Sequence, residues 1–102
     1  MLSRTGEEIV PAGARVAVVT DGQGLEVEAA EVGRLCRVVA PTIVDSSKRS
    51  LTAKLKAADR AGVALAAIIV PGLADRRALQ LKDMSTREQR EVAWADLVES
   101  LS

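Results

Sequence analysis

Residues Val63 to Val70 read Val-Ala-Leu-Ala-Ala-Ile-Ile-Val, an unbroken apolar run that ends at Pro71-Gly72. A strand built from it has no polar face to turn toward water. It belongs in the middle of a sheet covered on both sides, the arrangement of parallel sheets in α/β proteins. The run is also far shorter than the roughly 20 apolar residues a membrane-spanning helix needs.

The flanking segments supply the covering layers. Arg15-Val-Ala-Val-Val-Thr20 is a β-branched run that enters the turn Asp21-Gly-Gln-Gly24, which predicts a strand. Leu25, Ala29, Val32 and Cys36 recur at helical spacing, with Glu26, Glu28 and Glu31 off that stripe. Gly33 weakens this first helix and shortens it in expectation. Val38 to Asp45 reads as a second strand, pushed toward an edge or a bulge by Pro41. Ser50 to Ala61 is a second helix with Leu51, Leu55 and Ala58 on its apolar stripe and Gly62 at the C-cap position.

After the central run, Leu73 to Arg76 suggests one helical turn. Ala78 to Asp83 alternates, with Ala78, Gln80 and Lys82 on one side and Leu79 and Leu81 on the other. Ser85-Thr-Arg-Glu88 is a turn, and Gln89 to Trp94 returns as its hairpin partner. Asp96 to Leu101 closes with a short helix. Strands alternating with helices imply a mostly parallel sheet with helices on both faces. Residues 1–14, with Gly6, Pro11 and Gly13, read as a linker or fragment edge. Residues 15–102 form the α/β domain.

Several function classes are excluded at this level. The chain has no His and a single Cys. That removes the commonest general base and metal ligand, any internal disulfide, and any Cys-rich zinc site. No paired carboxylates and no nucleophile set appear, so no catalytic residue, cofactor or metal is assigned. Cys36 lies in an apolar stripe and reads as a core residue. Met1 to Gly13 carries Glu7 and Glu8 and lacks an apolar core, so no signal peptide is expected. Together with the lone thiol, this places the chain in the cytoplasm, with no membrane partner.

Lys plus Arg and Asp plus Glu each number 14, so the chain as a whole exerts no pull on nucleic acid. Charge is nevertheless segregated. Asp21 to Glu31 carries only acids. Ser46 to Gly62 carries Lys48, Arg49, Lys54, Lys56 and Arg60 against Asp59 alone. Ser46-Ser47-Lys48-Arg49-Ser50 falls between a strand end and a helix start. Unpaired N–H groups and the helix dipole favour an anion there, and phosphate is the usual guest. One of Ser46, Ser47 and Ser50 caps the helix or binds that phosphate. The plainer alternative is a solvated basic helix face.

Two stretches resemble a known family. Ser50-Leu-Thr-Ala-Lys-Leu-Lys-Ala-Ala-Asp-Arg-Ala-Gly62, followed by the buried strand, is similar to a helix of the C-terminal domain of histidyl-tRNA synthetases. That helix ends in an Ala-Asp-(Arg/Lys)-x-Gly step. Leu81-Lys-Asp-Met-Ser-Thr-Arg-Glu-Gln-Arg-Glu-Val92 is similar to the family's hairpin, in which Lys-Asp-Leu precedes a Thr-Gly-Glu-Gln turn. Arg87 stands where the family usually has Gly. Val70-Pro-Gly-Leu73 replaces a loop that usually begins Gly-Glu or Gly-Asp.

The resemblance covers roughly Arg15 to Leu101. It implies a three-layer anticodon-binding-domain-like fold: a five-stranded, mixed, mostly parallel sheet flanked by helices. It further implies a non-catalytic module of a class II histidine–tRNA ligase, with the tRNA anticodon stem-loop and the parent's catalytic domain as partners. The candidate tRNA contacts are Ser47, Lys48, Arg49, Lys54, Lys56, Arg60, Arg76, Lys82 and Asp83. Arg77 is a further phosphate candidate. Trp94 is either a stacking platform for a base or a core residue. An alternative is a regulatory or protein-interaction module of a synthetase-like paralogue, such as the regulatory subunit of ATP phosphoribosyltransferase.

Overall fold

The structure, a computed structural model, describes residues 14–101. The elements run β1 (Val16–Thr20), α1 (Glu26–Arg37), β2 (Thr42–Asp45), α2 (Leu51–Ala61), β3 (Leu65–Ile69), α3 (Pro71–Ala74), β4 (Ala78–Asp83), β5 (Gln89–Ala93) and α4 (Trp94–Leu101). The five strands form one sheet in the order β2-β1-β3-β4-β5. β1 pairs in parallel with both β2 and β3. The pairings of β3 with β4 and of β4 with β5 are antiparallel. Four strands therefore share a direction and β4 alone opposes them.

The apolar run becomes β3, as its pattern requires. Ala67 and Ile69 join one core cluster, while Ala66 and Ile68 join the other. β1 divides in the same way, with Val16 and Val18 on the first face and Ala17 and Val19 on the second. The first face meets Leu25, Ala29, Val32 and Cys36 of α1 and Trp94, Leu97 and Leu101 of α4. The second meets Ala58 of α2, with Leu51 and Leu55 packed beside it. Each fully buried Val, Leu or Ile contributes about 1.5–3 kcal/mol toward offsetting chain entropy. With one aromatic residue in the chain, these aliphatic layers carry the fold.

The handedness of the crossovers places the helices. The connection β1-α1-β2 steps one way across the sheet, and β2-α2-β3 steps back past β1. Right-handed connections then put α1 and α2 on opposite faces. The connections after β1 and β2 leave to opposite faces, and the loops after β1 and β3 stand side by side at the carboxyl ends of their strands. These loops lie close together there: a Cβ built on Gly22 would sit 3.9 Å from Cγ of Pro71.

Some boundaries differ from the sequence reading. The second strand begins at Thr42 instead of Val38. Val38, Val39 and Ala40 donate back to Leu35 and Cys36 carbonyls and finish the helix. Pro41, which lacks an N–H, sits at the junction, and its carbonyl accepts from Arg15 and Val16. Gly33 does not shorten α1, which runs through it to Arg37. The last helix starts at Trp94, two residues earlier than expected. Ala14, read from the sequence as the last residue of the linker, is buried in the second cluster. The linker reading of residues 1–13 lies outside the described residues.

Candidate functional site

Three loops meet at the carboxyl edge of the parallel strands: Asp21–Gly24 after β1, Ser46–Ser50 after β2 and Val70 onward after β3. α2 rises from the second. Ser50 is its N-cap, and its Oγ accepts from the Ala53 N–H at 3.2 Å. Of the three serines read as candidates, Ser50 takes that role. No acid lies in the first turn of α2, so the remaining N-terminal N–H groups keep their partial positive charge. Gly62 closes the helix with φ +80°, the left-handed C-cap that glycine adopts without penalty.

The Ser46–Arg49 loop is braced from within. Asp45, the last residue of β2, accepts the Ser47 N–H at 3.1 Å on Oδ1 and the Arg49 guanidinium at 2.7 Å on Oδ2. Burial alone would raise the Asp45 pKa. Hydrogen bonds from Ser47 and the charge and hydrogen bond of Arg49 outweigh it and hold the carboxyl below its usual range. Arg49 is therefore spoken for in part, although its side chain keeps 55% of its surface exposed. Ser47 Oγ also accepts from Arg49 Nε, at 3.4 Å. Lys48 projects from the same loop, exposed, with no ion pair among the described residues.

Lys54 overturns its reading as a surface phosphate contact. It is 1% exposed. Its Nζ donates to the Thr20 carbonyl at 2.7 Å and to Thr20 Oγ1 at 2.8 Å. The physical reason is helical spacing: Lys54 sits three residues after Leu51 and four before Ala58, on the apolar face of α2. That spacing was visible in the sequence. Lys56 and Arg60 do lie exposed on the outer side of the same helix.

Lys82 and Asp83 are not brought to this loop. Lys82 pairs with Ala66 and Asp83 with Leu65, at the start of β3, because β4 runs antiparallel. Asp83 is removed from Asp45 by about 10 Å along the strands and three strand spacings, about 14 Å, across them. Lys82 shares a sheet face with Ala66, the face on which α2 packs, so it lies on the side of Lys56 and Arg60. Asp83 is engaged in its own turn. Oδ1 accepts Ser85 Oγ at 2.8 Å and the N–H groups of Ser85 and Thr86 at 2.9 and 3.1 Å, which lowers its pKa. It forms no ion pair with Lys82 among the described residues.

Arg76 and Arg77 stand at the carboxyl edge beyond β3, each exposed. Arg76 reaches Glu91 and Arg77 reaches Glu31, both at 3.4 Å. Such long, exposed pairs are worth little in water. Arg77 also lies over the Trp94 ring, 5.3 Å from its centroid. Trp94 is 6% exposed and packs in the core, so of its two readings the core role is the one it fills. Its indole N–H has no acceptor among the described residues. Cys36 is fully buried, and burial pushes its thiol up to about 11. It is a packing residue.

The fold and this edge define a class: an α/β module with a mixed five-stranded sheet, helices on both faces and exposed cations on α2 and on the loops at the carboxyl ends of its parallel strands. The family described as "Anticodon binding domain" matches residues 14–102, and the chain belongs to that family. It is 37% identical over 86 residues to histidine–tRNA ligase of Pseudothermotoga lettingae, across 84% of this chain and 18% of that protein. The histidyl-tRNA synthetase of a Nostoc species matches with TM-score 0.81 and 33% identity, over 92% of this chain and 23% of that one. The RNA binding domain of threonyl-tRNA synthetase from Cryptosporidium parvum superposes with TM-score 0.79 at 18% identity, over 86% of this chain and 22% of that one, a likeness of fold alone. The chain thus spans about a fifth of the length of its relatives. Among the described residues no helix is long and apolar enough to cross a membrane.

Proposed function

We propose that this chain is the anticodon-binding module of a histidine–tRNA ligase, non-catalytic by itself, working in the cytoplasm beside the parent's catalytic domain. The observation that carries the reading is the 37% identity to a histidine–tRNA ligase across most of the chain. The distribution of cations supports it. Lys48 and Arg49 at the start of α2, Lys56 and Arg60 along its outer side and Lys82 beyond its end offer a track for an RNA backbone. The helix covers about 16 Å of that track. In this reading Ser47 and the β1–α1 and β3–α3 loops, at the same edge, are the groups that meet bases. Backbone contacts supply affinity and base contacts supply discrimination.

The test is binding of a fluorescent hairpin bearing a histidine anticodon to the chain and to the double variant Lys48→Glu/Arg49→Glu. Binding falls by about ten-fold or more at low salt in the variant. The slope of log K against log salt flattens by about 0.7–0.9 for each phosphate that the variant no longer neutralises. Unchanged affinity and slope would remove these residues from the interface. Equal affinity for an unrelated anticodon would argue against the histidine assignment. The regulatory alternative predicts no preference for any hairpin; the relatives described above are synthetases and give it no support.

A further inference from the structure

A buried lysine is costly unless its ammonium is paired. Lys54 is among the largest fully buried side chains of the domain. Its two acceptors, the Thr20 carbonyl and hydroxyl, are neutral. No carboxylate among the described residues forms an ion pair with it. An apolar residue would satisfy this stripe of α2 without the desolvation cost. What the lysine adds is a tie and a charge, both at one place.

The place is specific. Thr20 is the last residue of β1, and the next residue opens the β1–α1 loop. By strand alternation the Thr20 side chain falls on the α1 side, while Lys54 comes from α2 on the other side. An ammonium that reaches both the carbonyl and the hydroxyl therefore sits over the strand end, at the carboxyl edge. From there it joins the first turn of α2, which carries Ser50, Lys48 and Arg49 at its head, to the loop that begins at Asp21. The uncompensated charge lies beneath an edge that already has an acid-free helix start.

We infer that Lys54 is a positioning residue for RNA at this edge. It holds the start of α2 and the end of β1 in one arrangement and, without touching the ligand, supplies a buried positive charge that favours a phosphate on the surface above. This rests on the RNA-binding reading proposed above and deepens it. A charge screened by protein instead of bulk water acts over several ångströms.

The experiment compares the 102-residue chain with Lys54→Met and Lys54→Gln. Methionine keeps the stem and removes both tie and charge; glutamine keeps an amide donor and removes the charge. Each is titrated with the histidine-anticodon hairpin at several salt concentrations, with a thermal melt alongside. Both variants bind about three- to ten-fold more weakly at low salt, with a salt slope close to that of the unmodified chain, because the same phosphates stay neutralised. The melt locates the folded range, and the glutamine variant carries the test if the methionine variant is too unstable. Hairpin affinity equal to that of the unmodified chain in the folded variants would overturn the inference while leaving the RNA-binding reading intact. A slope flattened as far as for Lys48→Glu/Arg49→Glu would also overturn it, by making Lys54 a direct contact. Failure of the unmodified chain to bind the hairpin would bring down both.

Discussion

Gly33 lies in the middle of α1, where alanine would ordinarily stabilise the helix by about 1 kcal/mol. Here the opposite is expected. A Cβ at this position would sit 2.7 Å from Cγ2 of Val44 on β2, against an ordinary carbon–carbon contact of about 3.5–4.0 Å. The overlap is about 1 Å, and the neighbour is a β-branched side chain with little rotameric freedom. Overpacking of this kind costs about 1–3 kcal/mol. Subtracting the gain in helix propensity leaves Gly33→Ala destabilising by about 1 kcal/mol, or about 4–8 °C in melting temperature for a domain of this size. The sign reverses once Val44 is cut back. In a Val44→Ala background, Gly33→Ala stabilises by up to about 1 kcal/mol. Urea unfolding of the four proteins, followed by far-UV circular dichroism, closes the cycle with a coupling of about 1–3 kcal/mol. A Gly33→Ala protein more stable than its parent, or the same effect in both backgrounds, would refute the contact. The result bears on the site because this contact sets the spacing of α1 and β2, and β2 ends at Asp45.

Two further outcomes follow from the backbone and the braced loop. Arg87 holds φ +68°, and its N–H donates to the Asp83 carbonyl at 2.7 Å; relief of left-handed strain, less the entropy of glycine, makes Arg87→Gly more stable by about 0.5 kcal/mol, and a loss of stability in a chemical melt would count against it. The Asp45 carboxyl titrates lower folded than unfolded, so its contribution is full above about pH 4 and fades as the pH falls through the folded value; stability curves of the parent and Asp45→Asn therefore converge in acid, and a gap independent of pH would show that the bracing is not electrostatic.

The parts of the fold that sequence carried were those with a period. The unbroken run of β3, the stripe of α1 and the alternation of β4 each report which faces are buried, and burial is what dictates these elements. Boundaries were harder, since Val38 and Val39 are β-branched yet close the helix through carbonyls that no propensity anticipates. The site divided along the same line. Ser50 and Gly62 were readable because caps are local. The separation of Lys82 and Asp83 from Lys48 was not, because it depends on β4 running against β3. The Asp45–Arg49 pair joins a strand end to a loop whose curvature is a tertiary property. Lys54 was legible in part, as its place on the apolar stripe says buried while its charge says exposed. Only Thr20, 34 positions earlier, resolves the conflict.

Among the described residues the sheet has two free margins, and each is poorly suited to accept another strand. β2 offers four residues with Pro41 immediately ahead of it. β5 presents Gln89, Arg90 and Glu91 to solvent. Open backbone at a sheet margin is a template for fusion with a neighbouring chain, and short, charged or proline-flanked margins discourage it. A second copy of this module brought alongside therefore meets margins that resist merging the two into a common β-structure.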